Sequence, residues 1–438
     1  MSIWTDLGFS DNPFDSHPLK PNEQGDALLV GREQEVRKLG SSLRNSSNHP
    51  TIEGANGVGK TSLVLVTVYR ELKDRLSGNQ GATFIPMKET IQMSSDATKM
   101  HMNALYSIAQ TLIKYESELK KLGHATDKLG GLKKWLNDPV DREISGGIAG
   151  VSLGHGLSAT GSPGYENSGF EHQLRSALED IFPSLTSGSI VGVIDNIELV
   201  SNSQKAKEVL QSLRDTTLSL PGVKWVLCGA LGIIRVAVSS PSLNGRIGTP
   251  IDAQPVADTD ISALVKARLD YFKIREGARS PIEVSEFRFL YKICNNNLRD
   301  ALKYAQDFCI WLDAEGEIQD PGFNYKPLLE KWLREEAEKI MRAIHLQPRA
   351  WQFFDQLARS GGTCAPGDNE KFGFGTSQQM RTNLAALEEA ELVNSTRDEV
   401  DKRRKTINIT AKGWLVSHVR GSGTQAESVH ESSCLNEG

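Results

Sequence analysis

Apolar and polar positions change period several times along the chain, and each change predicts a different element. The stretch "PTIE", ending at Glu53, reads as a short buried strand. From Lys60 onward, Leu63, Val66, Val68 and Leu72 fall on one helical face. Farther on, "SGSIVGVIDNIELV" holds Ile190, Val191, Val193 and Ile194 in a near-continuous apolar run. That is the pattern of a parallel strand buried on both faces. "VKWVLCGALG" reads as another such strand. At "ISALVKARLDYF" the period lengthens, and Ile261, Leu264, Val265 and Leu269 share one helical face. Helical patterns continue through "RDALKYAQDFCIWL".

The last hundred residues change character again. "PRAWQFFDQLARSGG" puts Trp351, Phe354 and Leu357 on one face and stops at glycine. "GTSQQMRTNLAALEEAELV" opens with Thr376 and Gln379 at capping-box spacing and turns Met380, Leu384 and Leu387 inward. "LVNSTRDEVDKRRKTINITAKGWLV" reads as two strands around a charged turn. Helix, helix, then a two-stranded wing is the winged-helix plan. Between the first helices and the Asp195 strand, Val151, Leu153, His155 and Leu157 alternate with Ser152, Gly154, Gly156 and Ser158. A β-hairpin that touches DNA or a neighbouring subunit fits this stretch, and so does a flexible surface loop. His155 is a lone histidine and receives no catalytic role.

The turn between "PTIE" and its helix carries the most specific chemistry. Gly54-Ala55-Asn56-Gly57-Val58-Gly59-Lys60-Thr61 is G-x-x-x-x-G-K-[ST] in full, and Ser62 follows it. The glycines let successive N–H groups point inward at phosphate oxygens, Lys60 places a charge on the outer phosphates, and Thr61 offers a hydroxyl to Mg²⁺. Strand, loop and helix stand in the required order, so a nucleoside triphosphate is expected here. Asp195 ends the next buried strand, where open α/β sheets bind ligands, and is the expected second metal group. At Asn196, where many ATPases carry the glutamate that activates water, an amide stands instead and cannot act as a base. Glu198 either substitutes for it or merely starts the next helix.

Composition narrows the setting. The chain has 438 residues, enough for two to four domains, with 38% hydrophobic and 24% charged residues. A net charge of −5 and a pI of about 6.1 do not advertise nucleic-acid binding, so any such contact must come from a local patch. Cys228, Cys294, Cys309, Cys364 and Cys434 are scattered, as core fillers and one tail thiol are in a reducing cytoplasm. Neither a signal peptide nor a membrane helix is expected. No nuclease-like carboxylate cluster, nucleophile elbow or metal-binding His/Cys set is visible.

The ordered set "LLVGREQEVRKL", the glycine-rich loop, the Asp195 strand, "VKWVLCGALG" and "NNNLRDALKYA" resembles the AAA+ ATPases. It resembles especially the branch with the origin-recognition and replication-initiator ATPases and their bacterial relatives. The resemblance runs from about Asn12 to Arg420. It implies an α/β P-loop core with a parallel sheet and glycine-rich insertion (residues 1–256, insertion near 122–170). An all-α lid (257–325), a C-terminal winged helix (326–420) and a disordered tail (421–438) complete the expected organisation. By the same resemblance, Val30, Gly31 and Arg32 lie near the adenine. Arg299 is the lid arginine that reaches the phosphates. A trans-acting arginine finger is assigned first to Arg246 and second to Arg235. Cys228 and Gly229 stand where the family has a polar sensor, which weakens that element.

ATP and Mg²⁺ are thus the expected cofactors, with slow turnover and ADP as product. DNA is the expected partner, through Arg381 and Asn383 on the second helix and Lys402, Arg403, Arg404 and Lys405 in the turn. Homo-oligomers or a protein complex are expected. Glu388, Glu389 and Glu391 on the same helix oppose phosphate and leave a second reading open. In it, the chain is a regulatory ATPase whose winged helix binds a protein or effector, as in a bacterial defence system. Asn196 and the missing sensor speak against a processive motor.

Overall fold

The computed structural model describes residues 2–137, 164–197, 203–230, 234–235, 242–243, 245–318, 323–365, 367–397 and 405–421. Contacts divide the chain into two compact units. One comprises Pro18–Ala55 and Gly59–Gln254; the other comprises Met1–His17, Asn56–Val58 and Pro255–Gly438.

The first unit is built on six parallel strands: β1 (His49–Glu53), β2 (Thr83–Pro86), β3 (Ile91–Gln92), β4 (Gly188–Asp195), β5 (Val223–Gly229) and β6 (Ile247–Asp252). Their order is β2-β4-β5-β1-β6. Ile194 pairs with Ile91 on one side and Leu227 on the other, so β3 continues the β2 edge along β4. Every residue of β1, β4 and β5 is buried. In β4 and β5 this shows as near-continuous apolar runs, whereas β1 buries the polar His49, Thr51 and Glu53 as well. Edge strand β6 is buried only at Ile247 and Ile251. Gly192 faces Trp225 across the β4–β5 pair. A Cβ there would lie 2.4 Å from the indole, so only glycine admits this fully buried ring. The indole N–H donates to Thr217 O at 2.9 Å.

Helix Lys60–Leu76 packs on β2 and buries the expected Leu63, Val66, Val68 and Leu72. Helix Ala97–Lys114 contributes Leu105, Ile108 and Leu112 to the core that also holds Phe170 and Leu174 from helix Gly164–Ile181. The alternating stretch Val151–Ser158 lies outside the described residues.

In the second unit, helix Asp258–Phe272 shows where a periodicity argument stops. Ile261, Leu264 and Val265 are buried as expected, but Leu269 is only half-buried and Arg268 takes a core position. Its Nη1 donates to Pro13 O at 3.0 Å and Asp15 O at 3.1 Å, which fastens the N-terminal segment to this helix. Burial brings Arg268 down to about 10, partly offset by Asp15. Phe14, fully buried, stacks on Phe287. Helices Val284–Ile293, Leu298–Ala314 and Lys326–Ala343 follow.

Helix Pro348–Arg359 buries Phe353, Phe354 and Leu357, while the expected Trp351 is half-exposed beneath the Arg420 guanidinium. Helix Ser377–Glu389 is capped by Thr376, whose Oγ1 accepts from Gln379 N at 3.3 Å, and buries Met380, Leu384 and Leu387. Beside it β7 (Thr363–Cys364), β8 (Val393–Arg397) and β9 (Lys405–Ile409) form an antiparallel sheet in the order β7-β9-β8, before a helix over 411–421. The sequence predicted two of these strands. The third, β7, is two residues long and carries no readable alternation.

Candidate functional site

The site begins where β1 ends. Gly59 has φ +94°, a left-handed conformation that costs glycine little, and it starts helix Lys60–Leu76. Lys60 is buried, and its Nζ donates to Gly54 O at 2.9 Å and Ala55 O at 3.2 Å, curling the loop around its own ammonium. β5 separates β1 from β4, yet Thr61 Oγ1 reaches across it and donates to Asp195 Oδ2 at 2.5 Å. The two residues expected to serve one metal ion are therefore neighbours. A hydroxyl beside a single carboxylate is a hard-oxygen set that suits Mg²⁺, which binds through few protein groups and the substrate's phosphates. Among the described residues no cluster of three or more His, Cys, Asp or Glu offers an all-protein metal site.

Asn196 sits at φ +54°, its N–H donating to Asp195 Oδ1 at 2.9 Å and its side-chain amide to Gln92 Oε1 at 2.6 Å. Two amides thus face each other beside the Asp195 carboxylate, at the ends of adjacent strands. Glu198 lies outside the described residues. Ser62 Oγ accepts from Leu19 N at 3.0 Å, so this hydroxyl holds the segment that leads into the unit.

Arg32 is buried, donating to Glu35 Oε1 at 3.0 Å and to Gln254 O. Its charge is committed to the protein, which leaves half-buried Val30 and the left-handed Gly31 as the freer groups of that trio. At the tip of β5, Gly229 O accepts from Gly54 N at 3.2 Å, and Cys228 is buried.

The two candidate fingers part company. Arg246 precedes β6, at the N-terminal edge of the sheet, 42% exposed, with Nη2 3.7 Å from Asp215. Arg235 lies at the opposite edge, bound to Glu53 and Asp252 at the ends of β1 and β6. Neither Glu53 nor Gln92 was singled out in the sequence. Glu53 could have been, as a carboxylate directly before the first glycine of the motif; Gln92 has no local signal.

In the second unit Asn56–Val58, the tip of the loop, meet the start of helix Leu298–Ala314. Asn297 Nδ2 donates to Asn56 O at 3.0 Å and Arg299 N to Gly57 O at 3.3 Å. Gly57 has φ +82°, and a Cβ on it would lie 2.2 Å from Asn297 Oδ1. Glycine is thus required at a position the motif leaves free. The Arg299 side chain is exposed. Of the expected DNA groups, Arg381 is exposed, Asn383 is half-buried with Nδ2 on Gln379 O, and Lys405 opens β9. Lys402, Arg403 and Arg404 lie outside the described residues. No helix among the described residues is long and apolar enough to cross a membrane.

No protein-family model matches the chain, and no curated protein matches it. Several solved structures do. The ORC2 protein of Aeropyrum pernix, in ADPNP–ADP complexes, is similar over 94% of this chain and 99% of its own, at 13% identity and a TM-score of 0.46. A Walker-type ATPase of Pyrococcus abyssi is similar over 93% and 99%, at 15% identity and a TM-score of 0.46. The ORC1 protein of Aeropyrum pernix, in complex with DNA, is similar over 90% and 93%, at 13% identity and a TM-score of 0.43.

Proposed function

We propose that the chain is an ATP-binding, slowly hydrolysing molecular switch of the AAA+ kind that associates with DNA through a C-terminal winged helix. The observation that carries the reading is the 2.5 Å contact between Thr61 and Asp195, made across an intervening strand next to a complete phosphate loop. Chance glycine-rich turns have no reason to bring a carboxylate to the hydroxyl that follows the lysine. Lys60 would exchange its two loop carbonyls for phosphate oxygens, and the N–H groups of Ala55 through Thr61 would cradle the phosphates. Thr61 and Asp195 would hold Mg²⁺, which supplies charge neutralisation on the phosphates when bound. Val30 and Gly31 would border the adenine.

Slow turnover follows from Asn196. It is an amide paired with another amide, Gln92, and takes no proton from water. Arg299 would complete the phosphate contacts and let nucleotide state act on the lid of residues 257–325. The wing of residues 326–420 would then grip or release DNA, with Arg381, Asn383 and the basic turn Lys402–Lys405 on the phosphates and bases. Oligomers and a cytoplasmic location belong to the same reading.

The second reading, a regulatory ATPase whose wing docks a protein, is favoured by Glu388, Glu389 and Glu391 on the helix that would face DNA. Reversing Arg403 and Arg404 to glutamate separates the two. Duplex affinity at low salt is expected to fall by about tenfold or more, because each lost phosphate contact also removes counterion release. Unaltered duplex affinity in every nucleotide state would leave the protein-docking reading.

A further inference from the structure

Glu53 is a fully buried carboxylate one residue before the first glycine of the phosphate loop. A charge in that position is tolerated only when it is paired and its oxygens are hydrogen-bonded. Among the described residues, one residue supplies a donor to each oxygen. Arg235 N donates to Glu53 Oε1 at 2.9 Å, and Arg235 Nε donates to Oε2 at 2.7 Å. The same guanidinium continues to Asp252 Oδ1 at 2.7 Å, so it ties the C-terminal tips of β1 and β6. The backbone closes the joint, with Ala253 N donating to Glu53 O at 2.7 Å.

The position of this tie gives it a consequence for phosphate. The carbonyls that hold Lys60 Nζ belong to Gly54 and Ala55, the next two residues after Glu53. Without Arg235, a buried negative charge would stand at the root of a loop built to receive three phosphates. It would repel the ligand and compete with it for the Lys60 ammonium through a poorly screening interior.

We propose that Arg235 is a positioning residue for nucleotide binding that acts in cis, by neutralising Glu53 at the root of the phosphate loop, rather than as a finger offered to a neighbouring subunit. The proposal rests on the loop's being an ATP site. It makes affinity depend on the charge of the pair, not on the arginine's shape.

The test is a titration of a fluorescent ATP analogue against the full chain, with thermal unfolding recorded alongside. Arg235→Ala is expected to weaken binding by about tenfold or more, because it leaves the buried Glu53 carboxylate without its half-exposed cation. Arg235→Ala combined with Glu53→Gln is expected to return affinity to within about threefold of the unaltered chain, because the offending charge is gone. Affinity unchanged in Arg235→Ala overturns the proposal. So does a double variant that binds no better than the single one, since a shape-dependent tie would not be rescued. If Arg235→Ala does not fold, Arg235→Gln with Glu53→Gln carries the test, and a loss beyond about tenfold in that charge-free pair overturns it. An unaltered chain that binds no ATP analogue at all overturns the underlying ATP reading and this inference with it; normal binding insensitive to Arg235 overturns the inference alone.

Discussion

Two lysines stand at opposite ends of one parallel sheet, and each spends its ammonium on two backbone carbonyls. Lys60, past the end of β1, holds Gly54 O and Ala55 O. Lys224, near the start of β5, holds Leu43 O and, at 2.6 Å, Ser46 O. Both are buried. What differs is who owns the carbonyls. Leu43 and Ser46 lie at the C-terminal end of helix Glu33–Asn45, where the last carbonyls have no partner within the helix and the dipole favours a cation. Those acceptors are fixed by the helix, and nothing competes for the lysine. Gly54 and Ala55 belong to a glycine-rich loop, and a phosphate oxygen is a better acceptor for an ammonium than a peptide carbonyl. Burial pushes Lys224 down to about 8, while two of its N–H groups satisfy a helix end. A buried lysine is structural when its acceptors cannot be exchanged and functional when they can.

Replacing each lysine in turn separates those roles. The largest effect is expected for Lys60→Met, with ATP turnover down about a hundredfold or more, the scale on which phosphate-stabilising charges act. Its unfolding free energy should move by only about 1 kcal/mol, since Ala55, which owns one of the two freed carbonyls, is exposed to water.

The next effect sharpens the structural end of the sheet. His49 is buried there with both ring nitrogens engaged: Nδ1 accepts from Trp225 N at 3.2 Å and Nε2–H donates to Leu218 O at 2.9 Å. Only the neutral imidazole satisfies both, and burial, helped by nearby Lys224 and Arg246, takes it down to about 4. Between the ordinary value near 6.5 and about 4, the unfolded chain binds a proton that the folded chain refuses. The stability this provides is complete above 6.5 and is lost as pH falls toward 4, about 3 kcal/mol over that window. Urea midpoints at pH 7, 5.5 and 4 should fall more steeply for the unaltered chain than for His49→Gln. Parallel curves would refute the neutral, buried histidine.

The smallest of the three is Lys224→Met. Two helix-end carbonyls are orphaned, at a cost of about 1–3 kcal/mol, while ATP affinity stays within about twofold of the original. Loss of ATP affinity without loss of stability would erase the distinction between the two lysines.

How much of this was legible beforehand follows the same divide. The strands announced themselves because burial on both faces leaves only apolar runs, as in β4. The phosphate loop did too, because its chemistry dictates residue types at fixed spacing. Asp195 was legible from its place at the end of a buried strand, yet its contact with Thr61 depends on the crossing order of strands, which no local pattern records. Lys224 passed as an incidental polar residue in an apolar strand, since a long side chain can leave the sheet and find a helix end. Arg268 displaced an expected leucine from a helix face for a similar reason: its partners, Pro13 and Asp15, are some 250 residues away in sequence. Gln92 and Asn297 were invisible because their roles are set by neighbours brought together through the fold; Glu53 was readable as a carboxylate before the first glycine, but its partner Arg235 was not. The glycine at Gly57 was readable as part of the loop, but the demand for it comes from Asn297.

The most direct test of the central claim is ATP turnover by the full chain, with and without duplex DNA, with Lys60→Ala as the control. The account predicts slow turnover that rises on adding DNA and vanishes in Lys60→Ala. Turnover that ignores DNA, or that survives in Lys60→Ala, would contradict it.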